Sequence, residues 1–206
     1  MAQAENAPRR RFKWVQAIIG VVLLLTFLYA GWYLTSPYFQ EWMRGKLVSE
    51  LEFVTGGRVE LESFHWRLSH LEFQASNLTI HGLEKPGEVP FMHFDRVDVK
   101  LKIISFLGRQ LGFRSITAEH PVFHIIAYPG GTTNEPVPKV AQASNQESMQ
   151  QLFDLAIERL IVRNGEFIWN DRKIPLDFAA SDVTAEMVFT AKRTYDGKVH
   201  VGKLDT

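Results

Sequence analysis

Twenty consecutive residues without a charge, Val15 to Leu34 (VQAIIGVVLLLTFLYAGWYL), constrain this chain more than any other feature. As a helix rising about 1.5 Å per residue, they span about 30 Å, the hydrocarbon thickness of a bilayer. Arg9, Arg10, Arg11 and Lys13 precede the run, against a single acid, Glu5. Trp14 lies at one end and Trp32 and Tyr33 at the other, where aromatic rings suit a membrane interface. A cleaved signal peptide has an apolar core of about 7–15 residues and a small-residue cleavage site. This run is longer and ends in Gly31-Trp32-Tyr33-Leu34. A buried core helix fits poorly beside three consecutive arginines. The reading is an uncleaved anchor: a basic tail over residues 1–14, a transmembrane helix over 15–34, and the rest across the membrane. The basic flank places the N-terminus in the cytoplasm.

Beyond Leu34 there are 19 basic and 22 acidic residues, and the whole chain is neutral. That balance speaks against a nucleic-acid binder, which carries a basic excess on one face. Hydrophobic residues at 46% and charged residues at 22% are near globular averages, so most of the chain is expected to fold. Cysteine is absent, which excludes disulfides, cysteine-held zinc, iron–sulfur clusters and a thiol nucleophile.

Ser36-Pro37 reads as a helix start, serine as cap and proline at the first helical position. Phe39, Met43, Leu47, Leu51 and Val54 then repeat at spacings of four and three, with Trp42 beside them. Gly56-Gly57 ends this amphipathic helix, residues 35–57. After Gly57 the period becomes two, as a half-buried strand requires. Val59 and Leu61 alternate with acids, as do Leu71, Phe73 and Ala75 with polar residues, then Leu78 and Ile80. In Asp95–Ile103, Val97, Val99, Leu101 and Ile103 face one way and Arg96, Asp98, Lys100 and Lys102 the other. Residues 82–87 read as a turn. A short helical turn is expected over Ile104–Gln110, followed by strands at Leu111–Thr117 and Val122–Tyr128. Pro121 opens the second of these. A turn follows at 129–134, an exposed, mobile loop over Glu135–Ser148, and a short helix over Met149–Ala156. Asn164-Gly165 is a type I′ hairpin signal between Leu160-Ile161-Val162 and Phe167-Ile168-Trp169. Further turns are expected at 170–173 and 195–198. Val183, Ala185, Met187 and Phe189 form one more apolar face, and Val199 and Val201 follow. The chain stops at Thr206 inside what reads as a strand, so a piece of a longer protein is expected.

About ten one-sided strands must bury their apolar faces. A sandwich, a barrel and an elongated curved sheet would give the same alternation.

Catalytic signatures do not emerge. There is no phosphate loop, nucleophile elbow or metalloprotease helix. His120 and His124 would share a strand face, but Pro121 separates them, and a metal site needs three or four converging ligands. Asp95 and Asp98 read as lying on opposite faces of a strand, a poor acid–base pair. Asn77-Leu78-Thr79 matches a glycosylation sequon. Phe167 and Trp169 read as core aromatics. No enzyme activity, metal or cofactor is expected.

Several segments together carry a resemblance. They are the basic N-terminus and single span, Thr-Gly-Gly-Arg-Val-Glu-Leu, Gln-Ala-Ser-Asn-Leu-Thr-Ile-His-Gly, Asp-Arg-Val-Asp-Val-Lys-Leu, Pro-Val-Phe-His-Ile-Ile-Ala-Tyr-Pro-Gly-Gly-Thr-Thr-Asn and Arg-Asn-Gly-Glu-Phe-Ile-Trp-Asn-Asp. In this order they resemble the N-terminal region of the AsmA-like/TamB superfamily of bacterial envelope proteins, from about Arg9 onward. The resemblance implies a mainly β fold, with the transmembrane helix and short amphipathic helix followed by an elongated antiparallel β-groove over residues 58–206. The groove would be a curved, incompletely closed sheet related to the chorein-like bridge proteins. It implies an anchor in the bacterial inner membrane, a periplasmic groove, and phospholipid transport in outer-membrane biogenesis. The expected groove lining is Val97, Val99, Leu101, Ile103, Val183, Ala185, Met187 and Phe189, and the partner is phospholipid acyl chains. The alternative is a TamB-type membrane-anchored scaffold for outer-membrane protein assembly and secretion, meeting a barrel partner without conducting lipid.

Overall fold

The computed structural model describes residues 7–102, 112–139, 156–174, 176–190 and 194–206. The chain forms two compact units, residues 1–40 and 41–206.

In the first unit one helix, α1, runs Ala7–Leu34. The backbone of the basic segment is thus helical from Ala7 on. Trp14–Leu34 is long and apolar enough to cross a membrane, and none of it is buried within the protein. Ser36 accepts the Phe39 N–H at 3.3 Å, and Pro37 opens α2, Pro37–Thr55. This is the expected serine cap.

In the second unit, Met43, Leu47, Val48 and Leu51 of α2 pack on Val59, Leu61, Phe64, Ala75, Leu78 and Ile80. The buried face therefore includes Val48. It leaves Trp42 and Val54 exposed, at 58% and 38%. Each helical residue turns the face by about 100°, which carries Trp42 away from a face centred between Met43 and Val48. Two α2 side chains also cap the edge of the first strand. Arg44 Nη1 donates to the Leu61 carbonyl at 2.6 Å, and Glu52 Oε1 accepts the Val59 N–H at 3.1 Å. Such caps blunt an edge that would otherwise recruit another strand.

Among the described residues nine strands follow: β1 Arg58–Arg67, β2 Glu72–His81, β3 Met92–Leu101, β4 Gly112–Ala127, β5 Ala156–Ile157, β6 Arg159–Asp171, β7 Leu176–Thr190, β8 Thr194–His200 and β9 Lys203–Asp205. They form one curved sheet, ordered β1-β2-β3-β4-β6-β7-β8, with β5 beside β4 and β9 beside β7. The order does not return on itself, so the sheet is not closed. The resemblance implied an antiparallel groove, and here the structure differs, because the sheet is not wholly antiparallel. β4 and β6 pair in parallel over Ile116–Ala127 and Leu160–Asp171. Parallel neighbours need a connection of a dozen residues or more, and residues 128–158 separate these two.

Several expected turns are not turns. Asn164-Gly165 lies within β6, Tyr195–Lys198 lies within β8, and Pro121 lies inside the single 16-residue strand β4. Phe73, Ala75, Leu78 and Ile80 likewise share one strand, β2. For β2, β4 and β6 the common reason is a crease crossing the sheet. Apolar positions step by two, then three, then two: 59, 61, 64, 66 in β1 and 73, 75, 78, 80 in β2. The same step recurs at 94/97 in β3, 118/121 in β4, 162/165 in β6 and 180/183 in β7. At the extra residue the backbone turns left-handed in four strands, with φ of 50° at Asn77, 48° at His120, 51° at Asn164 and 54° at Asp182. Asn and Asp tolerate that conformation best among side-chain-bearing residues. Extra residues of this kind bend and twist a sheet. Pro121 is harmless here because the ladder is already interrupted. Gly165 allows close approach: a Cβ there would lie 3.3 Å from the Pro121 ring.

The short helix expected over Ile104–Gln110, the strand start at Leu111 and most of the helix expected over Met149–Ala156 lie outside the described residues. So does most of the loop expected over Glu135–Ser148. Ala156 itself begins β5. The start of that loop is anchored, since Asn134 is fully buried.

Candidate apolar binding face

Because residues paired across a ladder share one face of a sheet, the register shows which side chains lie together. Trp66, Phe73, Val99, Ile116, Leu160 and Met187 form one row from β1 to β7. Phe64, Ala75, Val97, Ala118, Val162, Ala185 and Val199 form a second, from β1 to β8. Beyond the crease, Ile80, Met92, Phe123, Phe167, Ala180 and Leu204 form a third. The two clusters of candidate lining residues, far apart in sequence, thus belong to the same rows. Val97 lines up with Ala185, and Val99 with Met187. Leu101 pairs with Phe113, and Val183 with Gly165. Phe189 continues the β7 alternation. Ile103 lies outside the described residues.

Ring contacts run along this face. Trp66 stacks on Phe73 with centroids 6.1 Å apart, Phe94 meets Phe123 edge-on at 6.1 Å, and Phe167 meets Phe178 at 6.3 Å. Phe167 pairs with Ala180 in the third row and Trp169 pairs with Phe178 two residues along, so both share the face of the candidate lining. The two-three-two spacing was the sequence signal that could have found them.

Burial is uneven along the rows. The part on β1 and β2 is covered by α2, and Val99 is only 6% exposed. Val183, Ala185, Met187 and Phe189 are half-buried. Val199 and Leu204 are 68% and 62% exposed.

The opposite face is polar and ion-paired. Arg96 pairs with Asp98, Arg163 with Glu119 and Arg159 with Glu186. Asn77 Nδ2 donates to Glu62, and His120 bridges Asp95 at 3.0 Å and Glu166 at 3.6 Å. Asp95 and Asp98 do not lie on opposite faces, contrary to strict alternation. The apolar rows run through Phe94 and Val97, so the crease leaves Asp95, Arg96 and Asp98 all off the apolar side. His124 bonds Asn170 rather than joining His120. Among the described residues no group of three or more potential ligands converges as a metal site would need.

The chain matches no protein-family model, and no match to a curated protein reaches significance.

Proposed function

We propose that this protein is an AsmA-like, inner-membrane-anchored β-groove that carries phospholipid acyl chains along its apolar face, in the biogenesis of the outer membrane. The observation that carries this reading is the set of unbroken apolar rows crossing the sheet, with the β7–β9 end uncovered by α2. Each CH₂ moved from water onto such a face is worth about 0.8 kcal/mol. Headgroups would stay on the wet side, and no single residue would be indispensable. The apolar helix α1 would tether the sheet to the membrane that supplies the lipid, with the N-terminus cytoplasmic and the sheet periplasmic.

A second reading rests on a different observation. α2 caps the edge of β1, whereas β8 pairs only with β7 among the described residues. An edge of that kind accepts an added strand, as a scaffold for outer-membrane protein assembly would need.

The test is photocrosslinking in cells from Met187 and Val199, with Glu186 and Lys198 as opposite-face controls. Phospholipid adducts at the first pair alone are expected. Protein adducts without lipid would favour the scaffold, and folded protein giving no lipid adduct would end the transport reading.

A further inference from the structure

The rim where β3 ends and β4 and β6 begin carries a cavity of about 680 Å³. Lys100, Lys102, Arg114 and Arg159 line it, with Ser115 and a single carboxylate, Glu158. The cations are unequally engaged. Lys102 pairs with Glu158. Lys100 reaches Glu72 only at 3.9 Å, and Arg159 reaches Glu186 at 3.4 Å, with both cations about half-exposed. Arg114 is exposed and has no carboxylate partner among the described residues. Among the described residues, four cations facing three carboxylates leave one positive charge unanswered, and two of the three pairs are loose enough to exchange for a better acceptor.

Val188 and Phe189 complete the wall. Alternation along β7 puts Phe189 on the apolar face with Met187, so the cavity opens where the wet face meets the apolar one. A ligand suited to this place carries a phosphate at one end and hydrocarbon at the other. Arginine's planar fork matches phosphate oxygens in pairs, and the lysines add point charges.

The geometry points to a phosphate-ester site at this rim, centred on Arg114 and Arg159, that holds the headgroup of an anionic phospholipid while its chains enter the apolar face. This rests on the acyl-chain reading above.

The test uses the full chain in a non-ionic detergent and two lipids sharing one photoreactive acyl chain. One carries a phosphoglycerol headgroup, and the other is the corresponding diacylglycerol. The wild type is expected to label with the phosphate-bearing lipid about fivefold or more over diacylglycerol. Arg114→Gln should bring that ratio to about one without changing diacylglycerol labelling, and Arg114→Lys should keep part of the preference. Glycerol 3-phosphate should compete for the wild type alone. Equal labelling by both lipids, or a preference that survives Arg114→Gln, overturns the headgroup site and leaves the apolar-face reading standing. If neither lipid labels, the apolar-face reading fails, and calorimetry with glycerol 3-phosphate decides the site separately. Heat lost in Arg114→Gln keeps it as a site for free phosphate esters, and no heat overturns it.

Discussion

Asn134 and Ile126 exchange two hydrogen bonds with almost no exposure to solvent. The Ile126 N–H donates to Asn134 Oδ1 at 2.8 Å, and the Asn134 N–H donates to the Ile126 carbonyl at 3.1 Å. Asn134 also donates from Nδ2 to the His124 carbonyl at 2.8 Å and accepts the Leu83 N–H at 2.7 Å. The side chain thus completes the β4 edge beyond the start of β3, and the backbone carbonyl of the same residue ties it to the connection after β2. Asn134→Ala leaves two buried backbone groups unpaired and should cost about 3 kcal/mol. Gly82→Ala should destabilise the same junction independently, because its Cβ would lie 1.9 Å from the Asn134 carbonyl oxygen. Denaturant unfolding followed by tryptophan fluorescence checks both. Midpoints equal to the wild type would remove the junction from the stabilising contacts.

Glu88 ties three connections together. Its carboxylate lies 2.5 Å from the Tyr128 hydroxyl and 2.6 Å from Arg172, and it accepts the Lys85 N–H at 2.9 Å. The Tyr128 hydroxyl first, then the Lys85 amide and Arg172, hold its carboxyl down at about 2. A depressed carboxylate stabilises the fold above its unfolded value, about 4.3, and loses that contribution as pH falls through the folded value. Burial, then the Glu88 charge, pushes the Tyr128 hydroxyl up. Its contribution is complete below about 10 and is lost as pH rises through the folded value. Glu88→Gln should therefore flatten the acid limb of a Tm–pH curve. A limb parallel to that of the wild type would contradict this.

His120 lies at the crease between two carboxylates. Partial burial draws its imidazole down, but Asp95 and then Glu166 outweigh that and raise it above its ordinary value. The stabilisation is present below about 6.5 and is lost as pH rises through the folded value. In an NMR titration of the histidine ring protons, Asp95→Asn should move the His120 midpoint to lower pH. An unmoved midpoint would show that the pair does not act in solution.

The left-handed backbone at Asn164 distinguishes side chains by shape. Asn164→Gly should unfold at nearly the wild-type midpoint. Asn164→Val should lose roughly 1–2 kcal/mol, because a β-branched side chain clashes with its own carbonyl there. Equal midpoints for the two variants would mean that the crease relaxes at that residue.

Val99 and Met187 share a row but not an environment. Val99→Asp puts an unpaired carboxylate into a covered site and should destabilise by about 3 kcal/mol. Met187→Asp should leave the unfolding midpoint nearly unchanged and abolish lipid crosslinking from Val199. If both unfold the sheet, the face is a closed core throughout.

Local signals were legible wherever a few neighbouring residues decide the outcome. Ser36-Pro37 and Gly56-Gly57 delimit α2 because capping is settled within one turn of chain. The one-sided strands at 97–101 and 183–189 were equally plain, since alternation depends only on the pleat. The remaining lining residues were missed because the three-residue step breaks alternation at the middle of each strand. A reader looking for strict period two then cuts β2, β4 and β6 in half.

The sequence by itself thus determined an apolar helix of membrane-spanning length, a capped amphipathic helix and strands with one apolar face. Each follows from backbone preference and hydrophobic period over a few residues. The tertiary structure alone decided that Asn164-Gly165 bends a continuous strand instead of closing a hairpin, that β4 and β6 run parallel, and that Val97 and Ala185 lie in one row. A left-handed asparagine suits a turn and a crease equally, and only the neighbouring strands, brought in from distant parts of the chain, select between them.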